Sequence, residues 1–524
     1  MSDEKMNQQN KTTKTVVVVG GGTAGWLTAG RLAAHHKSNT DTGLNVILVE
    51  SPNVPIIGVG EGTWPTMRST LIALGISETD FIRECNASFK QGARFAKWVD
   101  GSEDDFYYHP LVLPQGFTQG DIAAYWLNKA DDNKNSFSQD VCFQEAICEQ
   151  GLAPKTIRTA EFGAVANYAY HLDSGKFAVL LQKHCTENLG VTHILDDVVA
   201  VNTLPNEDIA SVATKENGDI AGDLFVDCSG FSSLLLGKHY QVPFKSCDDV
   251  LFIDTALAVQ VPYDNENSPI ASHTISTGQE AGWIWDIGLQ HRRGVGYVYS
   301  SKHSSEEQAR AVLAQYVGEQ FDSLTVRKIP FVSGHREKFW QHNCVAVGLS
   351  AGFLEPLEAS ALVLVELSAQ MISEQLPATR DVMDIVAKRF NETFLYRWDR
   401  IIDFLKLHYI LSKRSDNAFW TDNRDPKSIP ESLQDLMQLW KYRSPADLDF
   451  TSNNEVFPAA SYQYVLYGMG FESDYSHSAH VLNDWHYAEQ QFAKNKKMVQ
   501  QASALLPTNR ELLDKIRQYG FNTI

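Results

Sequence analysis

The sequence predicts an α/β fold: a Rossmann-like dinucleotide-binding domain, an inserted antiparallel β-sheet and a mostly helical C-terminal part. Three observations carry this. A valine run at 16–19 leads into Gly20-Gly21-Gly22-Thr23-Ala24-Gly25 and then into a small, apolar stretch at helical spacing, residues 26–34. Between about residues 251 and 300 short alternating segments, among them 282–287 and 294–299, read as strands. From 381 to 411 apolar residues recur at three and four (Val382, Ile385, Val386, Phe390, Phe394, Trp398, Ile401, Leu405), which is the pattern of a long amphipathic helix.

The first element has the order a dinucleotide site needs: strand, G-x-G-x-x-G, helix. Gly20 makes the tight turn, Gly22 lets a pyrophosphate approach the backbone, and Gly25 lets helix and strand pack closely. The helix start, with Thr23 and Ala24, offers free N–H donors and partial positive charge to phosphates. A second strand, 44–49, ends in Glu50, placed where an acid binds a ribose hydroxyl.

At 524 residues the chain is long for one compact unit, which implies a cofactor domain with insertions or more than one core. Its 43% hydrophobic and 21% charged residues are ordinary for a globular protein. A formal net charge of -19 repels nucleic acid and anionic membrane, so neither is expected as a partner. No apolar run reaches the roughly 18 residues of a membrane span. Residues 1–13 read as a disordered tail without the apolar segment of a signal peptide. Cys85, Cys142, Cys148, Cys185, Cys228, Cys247 and Cys344 form no C-x-x-C pair and read as reduced, buried thiols of a cytoplasmic protein.

Along the chain, a loop at 51–57 precedes Gly58-Val59-Gly60-Glu61-Gly62-Thr63-Trp64-Pro65, a backbone suited either to bending close to something flat or to a surface loop. A helix at 66–74 closes at Gly75, and Ser77-Glu78-Thr79-Asp80 resembles a capping box. Residues 86–95 read as one strand, with Lys90, Gly92 and Arg94 on one face; alone, Lys90 is a solvated edge lysine. The tyrosine-rich stretch 104–110 ends in His109-Pro110. Residues 223–231 suit a return to the dinucleotide sheet. Trp283 and Trp285, two apart on a strand, share a side and would make an aromatic wall. A buried strand at 343–348 runs through Leu349 into a Gly-containing loop and a helix after Pro356, a second place to hold an anion. The domain limits expected are 1–13 tail, 14–375 dinucleotide domain with its inserted sheet, and 376–524 helical cover. His477, His480 and His486 with Asp474 and Asp484 fit no common metal-ligand spacing.

Taken together, these stretches resemble the flavin-dependent halogenases of the tryptophan halogenase type. The matching segments are 20–26, 58–65, Phe89-Lys90 with Arg94-Phe95, His109-Pro110, Trp283-Ile284-Trp285-Asp286-Ile287, 353–362, and 399–405 with Leu407-His408-Tyr409. The resemblance implies a flavin monooxygenase-type fold that takes FADH2 from a separate NAD(P)H-dependent flavin reductase. With oxygen and chloride or bromide it yields hypohalous acid, which reaches a lysine beside an electron-rich aromatic substrate. Lys90 matches that lysine and Glu358 the family glutamate, which polarises the electrophile or removes the ring proton, with Glu355 as the fallback in that loop. The halide would lie at the N–H groups of Ser360 and Ala361. FAD contacts would include Gly20, Gly22, Thr23, Ala24, Gly25, Glu50, Val198, Leu349 and Leu362, and the substrate would meet His109, Leu111, Trp283 and Trp285. No second G-x-G-x-x-G is present for NAD(P)H, which fits an external reductase. The oligomeric state stays open, a homodimer included.

The chain departs from the family pattern in four places. Gly288 follows Ile287 where proline is usual; Leu111 stands where phenylalanine often clamps an indole; Ala359-Ser360-Ala361 replaces Ser-Thr-Gly; and Tyr462 and Tyr464 are the nearest match to the tyrosine pair that grips an amino acid. An indole or another electron-rich ring is therefore expected as readily as free tryptophan. Two other readings remain at this stage: a flavin monooxygenase that hydroxylates or epoxidises, and a flavin-binding redox protein without turnover.

Overall fold

A computed structural model describes residues 12–54, 60–130, 134–452 and 454–521. Gly58, Val59, the end of the preceding loop and residues 1–11 lie outside the described residues. Thr12, expected in the tail, already bridges to Thr379, and Thr13 N donates to Ala378 O (3.0 Å).

The dinucleotide domain is built on a six-stranded sheet. Its order is Trp340–Gln341, Cys344–Ala346, Leu224–Asp227, Thr15–Val19, Asn45–Glu50 and Thr192–Leu195. Every pair is parallel except the first. Val16, Val17 and Val18 are fully buried, as a central parallel strand requires. The helix Thr23–His35 follows the glycine turn at once and packs on helices Ser174–Glu187 and Ser360–Glu374. Residues 223–231 do return to this sheet, as does the strand after Asn343.

The inserted sheet is larger than expected. Seven strands run in the order Arg327–Pro330, Thr255–Pro262, Arg292–Tyr299, Gly282–Gly288, Thr274–Gln279, Gly92–Ala96 and Phe106–Pro110. All pairs are antiparallel except Thr274–Gln279 with Gly92–Ala96. The single strand expected over 86–95 is in fact two. Ser88–Lys90 belongs to a separate three-stranded sheet with Ala169–Asp173 and Gly60–Gly62, and Gly92–Ala96 to the seven-stranded one. The break falls at Gln91, whose N–H donates to Ser272 O (2.6 Å), and at Gly92 (φ 150°), where a Cβ would stand 2.6 Å from His109 O. Gly60–Gly62 is thus a paired strand and not a surface loop.

The amphipathic helix expected at 381–411 is Arg380–Ile410, with Phe390, Phe394, Trp398, Ile401 and Leu405 buried. The helices Thr66–Leu74, closed by left-handed Gly75, and Glu78–Glu84, capped by Ser77, also form. One buried cluster extends from Val16 to Phe521 and includes the C-terminal aromatic residues Trp420, Trp440 and Tyr462, so the helical cover shares the core of the sheets. All seven cysteines are buried and free. Among the described residues no helix is long and apolar enough to cross a membrane, and no group of three His, Cys, Asp or Glu side chains could hold a metal.

Candidate active site

Lys90 ends its short strand almost fully buried, with 3% of its surface exposed. Its Nζ donates to the carbonyl of Thr63 (3.2 Å) and lies 5.7 Å from the centre of the Trp64 ring. Thr63 is itself fixed: its N–H donates to Tyr170 O (2.8 Å) and its hydroxyl accepts from Tyr170 N (2.9 Å). Burial pushes the Lys90 ammonium down to about 8, with Glu358 pulling the other way. The edge lysine of the sequence is an interior amine.

Glu358 reaches the same place from the loop before helix Ser360–Glu374. Its carbonyl accepts from the Trp64 indole N–H (2.9 Å). Glu358 and Ala359 both hold left-handed backbone, φ 64° and 55°, a conformation costing about 1 kcal/mol or more per residue with a Cβ. The Glu358 carboxylate oxygen Oε1 meets two histidines, His109 Nδ1 at 2.7 Å and His408 Nε2 at 3.4 Å. Burial alone would raise this carboxyl, but His109 and then His408 outweigh it and hold it well below the usual carboxylate range. Glu355 is a different group. It accepts from the Tyr409 hydroxyl, and burial pushes it up to about 7. Neighbouring residues on one helix, His408 and Tyr409, therefore separate the two carboxyls.

Around Glu358 the rings of Trp64, His109, Phe404 and Phe457 converge. Phe457 stacks on Phe404 (3.9 Å) and meets Trp64 edge-on (5.1 Å), while His109 stands 5.6 Å from Phe404. Trp283 and Trp285 do share a face, as expected, but that face is packed core. Trp98 stands between Trp283 (6.2 Å) and His408 (6.0 Å), and the Trp285 ring lies across Gly296. The aromatic wall is thus one layer behind Glu358, because Trp98 fills the space between. Leu111 is half-buried, its N–H donating to Gln144 Oε1 (2.7 Å). Tyr462 and Tyr464 do not act as a pair: two positions apart on helix Ala459–Gly468 they point to different sides. Their hydroxyls donate to Arg400 O (3.5 Å) and Val112 O (2.8 Å).

Phe457, Ser461 and Tyr107 were absent from the sequence-derived site, and Phe404, His408 and Trp64 were noted only within matching stretches. Tyr107 lies two residues before His109 in a strand, a spacing that would have placed both on one face.

At the dinucleotide turn, the three glycines differ as their roles require. A Cβ on Gly20 (φ 119°) would stand 2.2 Å from Cys228 O, and one on Gly25 1.8 Å from Gly20 O; one on Gly22 would meet nothing within 4 Å. The open side of Gly22, at an N-terminus with no side-chain cap, is a cradle that fits the pyrophosphate of FAD. Glu50 lies across Gly21, 3.0 Å from His193 Nε2, and burial raises its carboxyl against the pull of that histidine. The second loop meets the first here, since a Cβ on Gly348 (φ 73°) would stand 2.8 Å from Ala24 Cβ; Leu349 follows in the same short turn. Val198 packs on the core side of Val17, Val19 and Val49. Ser360 and Leu362 are buried and Ala361 is exposed in the first turn of a helix without a side-chain cap.

A dinucleotide turn together with a buried amine and a buried, ionised carboxylate acting on it fits a flavin-dependent oxidoreductase. The tryptophan halogenase family model matches residues 15–484. The chain belongs to the tryptophan halogenase family. It is 32% identical over 523 residues to the 7-chloro-L-tryptophan 6-halogenase KtzR of Kutzneria sp. (strain 744), covering 96% of this chain and 99% of that one. The crystal structure of a tryptophan halogenase from Shewanella frigidimarina NCIMB 400 superimposes with a TM-score of 0.93 at 49% identity, covering 98% and 99% of the two chains. BrvH, a flavin-dependent halogenase from Brevundimonas sp. BAL3, gives a TM-score of 0.85 at 32% identity over 96% and 99%.

Proposed function

We propose that this protein uses FADH2, oxygen and chloride or bromide to halogenate an electron-rich aromatic ring of the indole or tryptophan type through Lys90. The observation that carries the reading is the burial of Lys90 within electrostatic reach of the buried Glu358, where nothing about fold stability calls for an amine.

FAD would be held by Gly20, Gly22, Thr23, Ala24, Gly25 and Glu50, with Val198, Leu349 and Leu362 around it, and would arrive reduced from a separate flavin reductase in the cytoplasm. Bound there, reduced FAD lets oxygen oxidise halide to hypohalous acid. Ser360 and Ala361 would offer the halide their backbone N–H groups at the uncapped helix start.

Lys90 takes up the hypohalous acid. As ammonium it donates a hydrogen bond to the oxygen; as neutral amine it forms an N–X bond while the O–X bond breaks and water leaves. The ring's π electrons then form the C–X bond, nitrogen keeps the pair of the broken N–X bond, and the proton the ring loses, passed on by Glu358, restores the neutral amine. Glu358, ionised by its histidines, stabilises the cationic ring and receives its proton. Trp64, His109, Phe404 and Phe457 supply the aromatic surfaces for the ring, with Leu111 at the edge and Trp283 and Trp285 as backing. Two of the three relatives' names specify tryptophan. The dispersal of Tyr462 and Tyr464 favours indole or another ring without an amino acid group.

The test is a mass-spectrometric product assay with FAD, a flavin reductase, NADH, oxygen and bromide, offering indole and tryptophan separately while free hypobromous acid is scavenged. A bromine isotope pair in the product, lost in Lys90→Ala, is expected. Equal bromination by Lys90→Ala, or a gain of one oxygen indifferent to halide, overturns the reading, the latter in favour of a monooxygenase.

A further inference from the structure

The carboxylate of Glu358 is the centre of a buried network with two arms, and each arm ends in a hydroxyl. On one side His408 Nε2 faces Oε1 at 3.4 Å and Tyr107 meets His408 Nδ1 at 2.5 Å. On the other His109 Nδ1 faces Oε1 at 2.7 Å and Ser461 Oγ meets His109 Nε2 at 2.9 Å. Three elements supply these groups: the strand Phe106–Pro110, the helix Arg380–Ile410 and the helix Ala459–Gly468. Tyr107 and His109 lie two apart and so share one face of their strand, which serves Glu358 once directly and once through His408.

Donor and acceptor rules constrain the protons. An ionised carboxylate only accepts, so His109 Nδ1, hydrogen-bonded to Oε1, carries hydrogen; His408 Nε2 lies 3.4 Å from Oε1 without a formed hydrogen bond, a contact with an anion that favours hydrogen there. Burial pushes His408 down, against the pull of Glu358, so its ring is neutral and its Nδ1 must accept. Tyr107 therefore donates to His408. Burial raises the Tyr107 hydroxyl well above its ordinary range, which keeps its proton on oxygen. Ser461 Oγ meets the other nitrogen of the His109 ring at 2.9 Å. The donors of the His408 arm point inward, and an outward transfer from Glu358 to His408 would need a vacant Nε2.

We propose, on the basis of the halogenase reading, that Tyr107 and Ser461 are positioning residues, Tyr107 fixing the tautomer of His408 and Ser461 holding the His109 ring, and that together they keep Glu358 an oriented anion towards the substrate. The network is a clamp and carries no proton away. Lys90 from its own strand is the cation on the far side of Glu358; Glu355, on the same loop, is engaged by Tyr409, and Asp105 acts on Tyr107 through space.

The test uses the full chain labelled with 15N-histidine, and then the complete enzyme with FAD, reductase and bromide. Without substrate, His408 should show hydrogen on Nε2 and a bare Nδ1 across neutral pH. Tyr107→Phe should mix its tautomers and move the acid limb of kcat upward by at least one pH unit, a tenfold loss at fixed acid pH, with KM unchanged. Tyr107→Phe combined with His408→Gln should restore the limb, because an amide N–H stands where Nε2–H stood and needs no tautomer. A Tyr107→Phe limb that does not move, or one that glutamine fails to rescue, overturns the proposal. Should Tyr107→Phe not fold, Ser461→Ala gives the same limb test for His109. A parent that brominates nothing would overturn the function reading alone, since the tautomer spectrum needs no turnover.

Discussion

The Trp64 indole donates to the main-chain carbonyl of Glu358 at 2.9 Å, across 294 residues of sequence. Through this bond the strand segment that positions Lys90 also holds the left-handed turn that positions Glu358, so the two groups share one support.

Trp64→Phe should therefore harm both. The lost bond leaves a buried carbonyl unpaired, at a cost of about 1–3 kcal/mol, and frees a strained turn. A lower melting temperature is expected together with a fall in kcat larger than any change in KM. A variant with parental kcat would show that the Glu358 turn holds itself.

Room beside Lys90 is limited by Gly62. A Cβ there would stand 3.3 Å from Ala359 Cβ and 3.4 Å from Lys90 Nζ. Gly62→Ala should fold and lose roughly tenfold in kcat by displacing the amine. Adding Ala359→Gly removes the opposing methyl and relaxes a left-handed residue, so the double variant should regain activity and up to about 1 kcal/mol of stability over the single one. Steady-state bromination and thermal melts of the three proteins decide this.

The interior amine has a thermodynamic signature. Burial holds Lys90 near 8 in the folded chain against 10.5 ordinarily. Between those values the unfolded chain binds more protons than the folded one, so the contribution of Lys90 to stability rises with pH across that window and is flat on either side. Relative to Lys90→Met, the parent should gain about 3 kcal/mol from pH 8 to pH 10.5. Denaturant titrations of both proteins at the two ends measure it, and an unchanging difference would place the amine in water.

Two glycines of one motif should answer alike substitutions differently. Gly22→Ala meets no atom within 4 Å, whereas Gly25→Ala would put a Cβ 1.8 Å from Gly20 O. Gly22→Ala should keep the melting temperature of the ligand-free chain and weaken FAD binding, read by flavin fluorescence. Gly25→Ala should lower the melting temperature before flavin is added.

The glycine turn was legible because it is written in consecutive residues; Lys90 and Glu358 were singled out only through the resemblance of the stretches around them, and taken alone Lys90 read as a solvated edge lysine. The break between the two short strands was not legible, since no glycine or proline but Gly92 interrupts residues 86–95, and only the approach of His109 O to Gly92 reveals it. The left-handed Glu358 and Ala359 carry no glycine to announce them. Tyr107, His408 and Ser461 are ordinary residues of a strand and two helices, and their meeting is a property of the packing between those elements. Trp283 and Trp285 read correctly as sharing a side; what lay against that side depended on Trp98, nearly two hundred positions earlier.

The break at Gln91 also bears on how such an enzyme can diversify. Lys90 is anchored in a three-stranded sheet with Gly60–Gly62, whereas Tyr107 and His109 hang from the neighbouring seven-stranded one. On the proposed function, substitutions along the larger sheet and its covering helices would reshape what ring is accepted, while the buried amine of Lys90 stays where it is. Inheritance of the chemistry and drift of the substrate are thereby uncoupled within a stretch of twenty residues.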